Sequence, residues 1–95
     1  MFAIAFDLSN AETQALHPKS LRQAYRDVER TLAHYGFHRV QQSVYHTDLE
    51  DLAVLSAAMY ALKAMPWFSA CVKDIKGYRV EMWSDFTPMM KGRNQ

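Results

Sequence analysis

The chain predicts an α+β fold of the ferredoxin-like βαββαβ kind, with two helices on one face of a four-stranded antiparallel sheet. Three observations predict it. The opening run Met1-Phe2-Ala3-Ile4-Ala5-Phe6-Asp7-Leu8 is apolar up to Asp7 and reads as a buried strand. Two stretches of helical period flank a β-prone segment, and an alternating stretch follows the second of them. The resulting order, strand, helix, strand, strand, helix, strand, is the split βαβ pattern. Ninety-five residues suffice for one domain and not for two, here 1–90, followed by a polar tail, 91–95, expected to be disordered.

Each element has a local cause. After the first strand, Ser9 to Pro18 is polar without a clear period and reads as a long connecting loop. Pro18 suits the first turn of a helix, with Ser20 a competing start signal. Leu21, Ala24, Tyr25, Val28, Leu32 and Tyr35 then fall on one helical face, with Lys19, Arg22, Arg26, Asp27, Glu29 and Arg30 on the solvated remainder. Gly36 ends the helix as a left-handed cap. Phe37 to Thr47 reads as two strands meeting near Gln41-Gln42, which suit a bulge or turn. Asp48 is placed to cap the next helix, with Asp51 in its first turn. Leu52, Leu55, Met59 and Leu62 line that helix, and Pro66 stops it. Trp67, Phe68 and Val72 form a short irregular or helical corner. Ile75 to Trp83 is the last strand, and Ser84 to Thr87 begins a short terminal turn.

Composition narrows the function classes. Half of the chain is apolar, so a core is available, and the formal charge of +1 argues against a polybasic binder that relies on many phosphate contacts. The single cysteine, Cys71, forms no internal disulfide, which fits a reducing cytosol. No run approaches the ~20 apolar residues of a membrane span, and the N-terminal segment lacks the basic start and cleavage site of a signal peptide. One Cys and four scattered His give no zinc-ligand spacing.

Asp7 is the main candidate for chemistry. A carboxylate at the end of a buried strand must meet a cation, a hydrogen-bond network or water; an architectural role as a helix cap is the competing reading. With Phe2, Ile4 and Phe6 towards the helices, the period of two turns Ala3, Ala5 and Asp7 to the other sheet face. Small apolar residues there admit a second sheet, so a homodimer packed face to face is expected, bringing two copies of Asp7 towards one axis.

The opening Ala-Ile-Ala-Phe-Asp, the stretch Tyr35-Gly36-Phe37-His38-Arg39-Val40-Gln41-Gln42-Ser43-Val44-Tyr45, the block Ala61-Leu62-Lys63-Ala64-Met65-Pro66-Trp67-Phe68 and Trp83-Ser84-Asp85-Phe86 resemble the virulence-associated protein D (VapD) family from residue 1 to about 90. The first two blocks are similar, more distantly, to the small dimeric nuclease-fold subunit of CRISPR spacer acquisition. The resemblance implies a ferredoxin-like homodimer acting as a cytoplasmic endoribonuclease on single-stranded RNA or mRNA. It further implies a toxin of a bacterial toxin–antitoxin pair, with a small antitoxin as partner. It makes Asp7 the catalytic or metal-binding carboxylate and brings Arg39, Gln42, Ser43 and Tyr45 into the site.

Two chemistries are open to these residues. Two Asp7 carboxylates ~5 Å apart would repel by about 3 kcal/mol at an effective dielectric of ~20, which a Mg²⁺ ion would relieve. Alternatively, the RNA 2′-hydroxyl attacks the adjacent phosphate, with Asp7 or His46 as base and Arg39 stabilising the added charge. Asp7, Arg39 and Ser43 are thus the catalytic candidates, and Gln42, Tyr45 and Trp83 the substrate-binding ones. Alternation sets His46 opposite Ser43 and Tyr45, which share a face on which they can hold a phosphate or stack a base; the competing roles are a strand end for Ser43 and dimer core for Tyr45. Arg39 has the alternative of a surface ion pair. Trp67 reads as a corner plug, while Trp83 is free to stack an unpaired base. A non-catalytic binding module of the same fold, or a DNA-binding scaffold, are the rival functions.

Overall fold

A computed structural model describes residues 1–17 and 20–92; the expectations for Pro18, Lys19 and the tail residues 93–95 lie outside the described residues. Strand β1 (Phe2–Leu8) is central, as its apolar run requires, and pairs antiparallel with β3 (Val44–Thr47) on one side and β4 (Val72–Arg79) on the other. Strand β2 (His38–Gln41) pairs antiparallel with β3, giving the order β2-β3-β1-β4 of a split βαβ sheet. Register fixes the two faces. Ile4 lies between Tyr45 and Gly77 and faces the helices, whereas Ala3 lies between His46 and Tyr78 on the other face.

The two expected helices are α2 (Leu21–His34) and α3 (Leu52–Lys63). Ser20 caps α2 by accepting from the Gln23 amide at 3.1 Å, and Ala24, Val28 and Leu32 are its buried stripe. At its end Gly36 adopts φ +84°, with the Gly36 amide donating to Ala33 and the Phe37 amide to Leu32, both at 3.0 Å. This pair of reversed bonds satisfies the last carbonyls and needs a residue without a Cβ penalty. Over the sheet, α3 rides close to β4 because Gly77 offers no side chain: a Cβ there would lie 2.9 Å from Met59 Cε.

Several boundaries differ from the sequence expectation. The supposed loop after β1 contains helix α1 (Asn10–Leu16), started by Ser9, whose hydroxyl accepts from the Glu12 amide, and held by Thr13, whose hydroxyl donates to the Ser9 carbonyl at 2.7 Å. Asp51, not Asp48, caps α3, accepting from the Ala53 amide at 2.9 Å. The corner takes the helical of its two expected forms as α4 (Pro66–Cys71), and α5 (Thr87–Met90) follows the last strand, so five helices are present among the described residues where two were expected to cover the sheet. The last strand runs from Val72 to Arg79 and not from Ile75 to Trp83. Its final bond is from the Val80 amide to the Met1 carbonyl at 2.8 Å.

The core is one cluster in which Phe6 stacks on Tyr25 and Tyr45 and meets Phe68 edge-on, centroids 6.3, 6.2 and 5.8 Å away. Tyr45 thereby fills its own subunit's interior and is not on the face expected to form a dimer core. The opposite face is also less bare than expected. Ala3 and His46 are buried, and Trp83 from the segment after β4 packs edge-on against His46, centroids 5.1 Å apart. No helix among the described residues is long and apolar enough to cross a membrane.

Gly36→Ala is expected to lower unfolding stability by about 1–2 kcal/mol, because a non-glycine residue at φ +84° is strained and its Cβ would sit 3.1 Å from Leu49 Cδ1. Urea titration of the variant against Gly36→Asn, which tolerates the conformation better, checks this.

Candidate active site

Strand alternation and two irregularities of the sheet build the site around the end of β1. Phe6 is locked into the core, so the next residue, Asp7, must leave on the opposite face, where its side chain is 66% exposed. Opposite it on β4 stands Asp74. Like charges directly across a ladder destabilise the pair, and two lysines answer them: Lys76 pairs with Asp74, and Lys73 Nζ lies 3.9 Å from Asp7 Oδ2. The register shifts between Asp7 and Leu8, whose partners are Asp74 and Val72, so Lys73 is the extra residue of a bulge. Bulges re-aim side chains, and here the ammonium comes to Asp7. Both groups are mostly solvated, so the pair is worth only about 0–1 kcal/mol. Neither Lys73 nor Asp74 stood out in the sequence, because their closeness to Asp7 depends on pairing register.

The β2–β3 hairpin tip borders the same end of the sheet. Phe6 donates from its amide to the Ser43 carbonyl at 3.0 Å, which sets Gln42 and Ser43 beside Phe6 and Asp7. Ser43 lies in the turn and not on the strand, so the expected strand face shared with Tyr45 does not form. The bulge in this hairpin is at Val40, between the pairs Arg39–Tyr45 and Gln41–Val44. Arg39 stands on the helix side of the sheet, across from Asp7, and lines a notch with Gln42 and side chains of α2. The Tyr45 ring is fully buried and has no face for a base; burial, with the Glu29 charge adding to it, pushes its hydroxyl up to about 12. That hydroxyl has no hydrogen-bond partner within the protein.

His46 and Trp83 form a separate place. His46 lies opposite Ala3, four residues from Asp7 and so roughly 13 Å along the strand, on the face away from Tyr45 as alternation requires. It borders an open cavity of about 610 Å³ beneath Trp83, Asp85, Phe86 and Met90. Its Nδ1 is buried without a partner. Burial, reinforced by the nearby His38, lowers its pKa, against a smaller opposing effect of Asp48. Trp67 is half-buried at the corner, edge-on to His17 at 4.9 Å, and is packing and not a base platform.

The carboxylates that share this face are Asp7 and Asp74, each met by a lysine; Mg²⁺ commonly takes one or two carboxylates and fills its remaining positions with water and phosphate oxygens. No group of three or more His, Cys, Asp or Glu that could hold a metal occurs among the described residues.

A family model described as "CRISPR associated protein Cas2" matches residues 1–80. The chain is 50% identical over 91 residues to "Endoribonuclease VapD homolog" of Neisseria gonorrhoeae, covering 96% of this chain and 99% of that protein. The chain belongs to the VapD family. Within that family it is also similar to "Endoribonuclease VapD" of Haemophilus influenzae, 48% identical over 91 residues covering 96% of this chain and 99% of that protein, and to that of Dichelobacter nodosus, 39% identical over 92 residues covering 97% and 99%. The family-model match over residues 1–80 agrees with the four-stranded antiparallel α+β sheet seen here.

Because the lowered pKa means that the folded state binds fewer protons at His46 than the unfolded chain, stability contributed there is present above the ordinary imidazole pKa of 6.5 and is lost as pH falls below it. Urea midpoints are expected to fall between pH 7.5 and pH 5, and to fall less in His46→Gln; the His46 ring resonances should titrate below the ordinary imidazole range.

Proposed function

We propose that this protein is an endoribonuclease that cuts single-stranded RNA through the RNA's own 2′-hydroxyl, with Asp7 as the base. The reading is carried by one observation: Asp7 is solvent-open on a rigid, centrally paired strand, with the Lys73 ammonium 3.9 Å away and the hairpin tip alongside. Names of relatives that are endoribonucleases support the same reaction class. In the step itself, an Asp7 oxygen takes the 2′-hydroxyl proton, and the 2′-oxygen bonds to the adjacent phosphorus. The bond from phosphorus to the 5′-oxygen breaks, and that oxygen takes a proton from water. Lys73 sits where it can leave Asp7 for the phosphate and stabilise its added negative charge. Ser43 and Gln42 at the tip orient the phosphate. Arg39, on the far face, holds the strand beside the cut.

The active form is a homodimer packed through the sheet face that carries Asp7. Tyr78, Met82, Trp83, Phe86, Met89 and Met90 expose large apolar side chains. Tyr78 is on that face and the rest follow it in the terminal segment, a concentration that marks association surfaces. The family resemblance supports a cytoplasmic toxin role, with a small antitoxin as protein partner.

Asp7→Asn is expected to keep the fold and reduce cleavage of labelled single-stranded RNA by roughly 10²–10⁴-fold, while EDTA leaves the wild-type rate unchanged and the products end in cyclic phosphates. Full activity in folded Asp7→Asn would overturn the assignment. Cleavage abolished by EDTA would replace the 2′-hydroxyl route with a metal-dependent one. Met82→Glu with Phe86→Glu is expected to yield monomers in sedimentation.

A further inference from the structure

The notch between α2 and the β2–β3 hairpin has a charge pattern that the cleavage step does not use. It encloses about 420 Å³ and is lined by Arg22, Tyr25, Arg26, Glu29, Arg39 and Gln42. Arg22 and Arg26 are four residues apart and so point the same way from α2. Of the five arginines among the described residues, the two outside the notch each have a carboxylate partner: Arg30 with Asp27 at 3.5 Å and Arg79 with Glu50 at 3.4 Å. The three in the notch have none within 4 Å, although Glu29 lines the same space. Converging guanidinium groups left unpaired are arranged for an anion that comes from outside.

Tyr45, the strand partner of Arg39, is not part of the notch lining but gives a second indication. Tyr45 is 0% exposed, yet its hydroxyl has no partner in the protein. The charged and polar groups that act on it are Glu29, Arg39 and Tyr25, all of which line the notch. A buried hydroxyl without a partner forfeits about 1–3 kcal/mol, which a bound acceptor oxygen would return.

We propose that this notch binds a backbone phosphate of the RNA strand next to the scissile one. Arg22, Arg26 and Arg39 take its oxygens, the Tyr45 hydroxyl donates from below, and Glu29 keeps the three arginines apart and accepts from the neighbouring ribose or base. The strand then runs from Asp7 over Gln42 at the hairpin tip into the notch. This rests on the endoribonuclease reading for its ligand, but its test is binding and not cleavage.

The experiment uses a fluorescent single-stranded RNA and the full chain bearing Asp7→Asn, titrated across a salt series. Adding Arg22→Ala and Arg26→Ala, both on the exposed face of α2, is expected to weaken binding about tenfold or more. It should also lower the slope of log affinity on log salt by about 0.7–1.4, the value for one or two single-strand phosphates. Tyr45→Phe in the same background should weaken binding without lowering the urea midpoint, since it removes a hydroxyl that has no partner in the free protein. Unchanged affinity and slope in the double arginine variant would overturn the site, and unchanged affinity in Tyr45→Phe would remove the hydroxyl from it. If Asp7→Asn still cleaves RNA, the active-site assignment fails, while the binding comparison, made with an RNA carrying 2′-O-methyl groups, still decides the notch.

Discussion

The ring of Phe6 is the contact on which the rest depends. It belongs to the central strand, yet it touches Tyr25 of α2, Tyr45 of β3 and Phe68 of α4, so one side chain ties the sheet to two helices. Burial of such a ring contributes about 1.5–3 kcal/mol and each aromatic pairing about 0.5–1.5 kcal/mol more. Its neighbours inherit their places. Asp7 is forced outward by alternation, and the Phe6 amide holds the hairpin tip through Ser43. The core and the site are therefore two sides of one strand end, and rigidity on the inner side is what fixes geometry on the outer one.

Much of this was legible in the sequence where a period or a cap could be read locally. The apolar stripe of α2, the Gly36 stop and the outward Asp7 follow from side-chain spacing, while Ser20, one of two competing start signals, proves to be the cap. Helix α1 was read as loop because its seven residues bury only Thr13 and so show no apolar period, although Ser9 followed three residues later by Glu12 is a capping signal. The overlong last strand has another cause. Val80 to Trp83 alternates as a strand should, but a strand also needs a paired neighbour, and pairing with β1 stops at the bond from Val80 to Met1. Tertiary pairing, and not local preference, set that boundary.

The site divides the same way. Asp7 could be nominated from its strand alone, and the hairpin residues from their motif. Lys73 and Asp74 reach Asp7 only through the register and the bulge, neither of which a one-dimensional pattern contains. Arg39 and Tyr45 were grouped with Asp7 by the resemblance, yet pleating assigns them to the helix side of the sheet. The two groups meet only around the edge of the hairpin tip, so whatever engages both must bend over that edge. A flexible single strand can do this; a stiff duplex cannot.

The outer strands carry a consequence of their own. On β4, Lys73, Asp74, Lys76 and Arg79 are all exposed, and on β2 the exposed His38 and Arg39 precede the Val40 bulge. Charges and bulges at a sheet margin block the addition of another chain's backbone. The molecule therefore leaves its margins repellent, and fibril growth by edge-to-edge addition of strands is blocked.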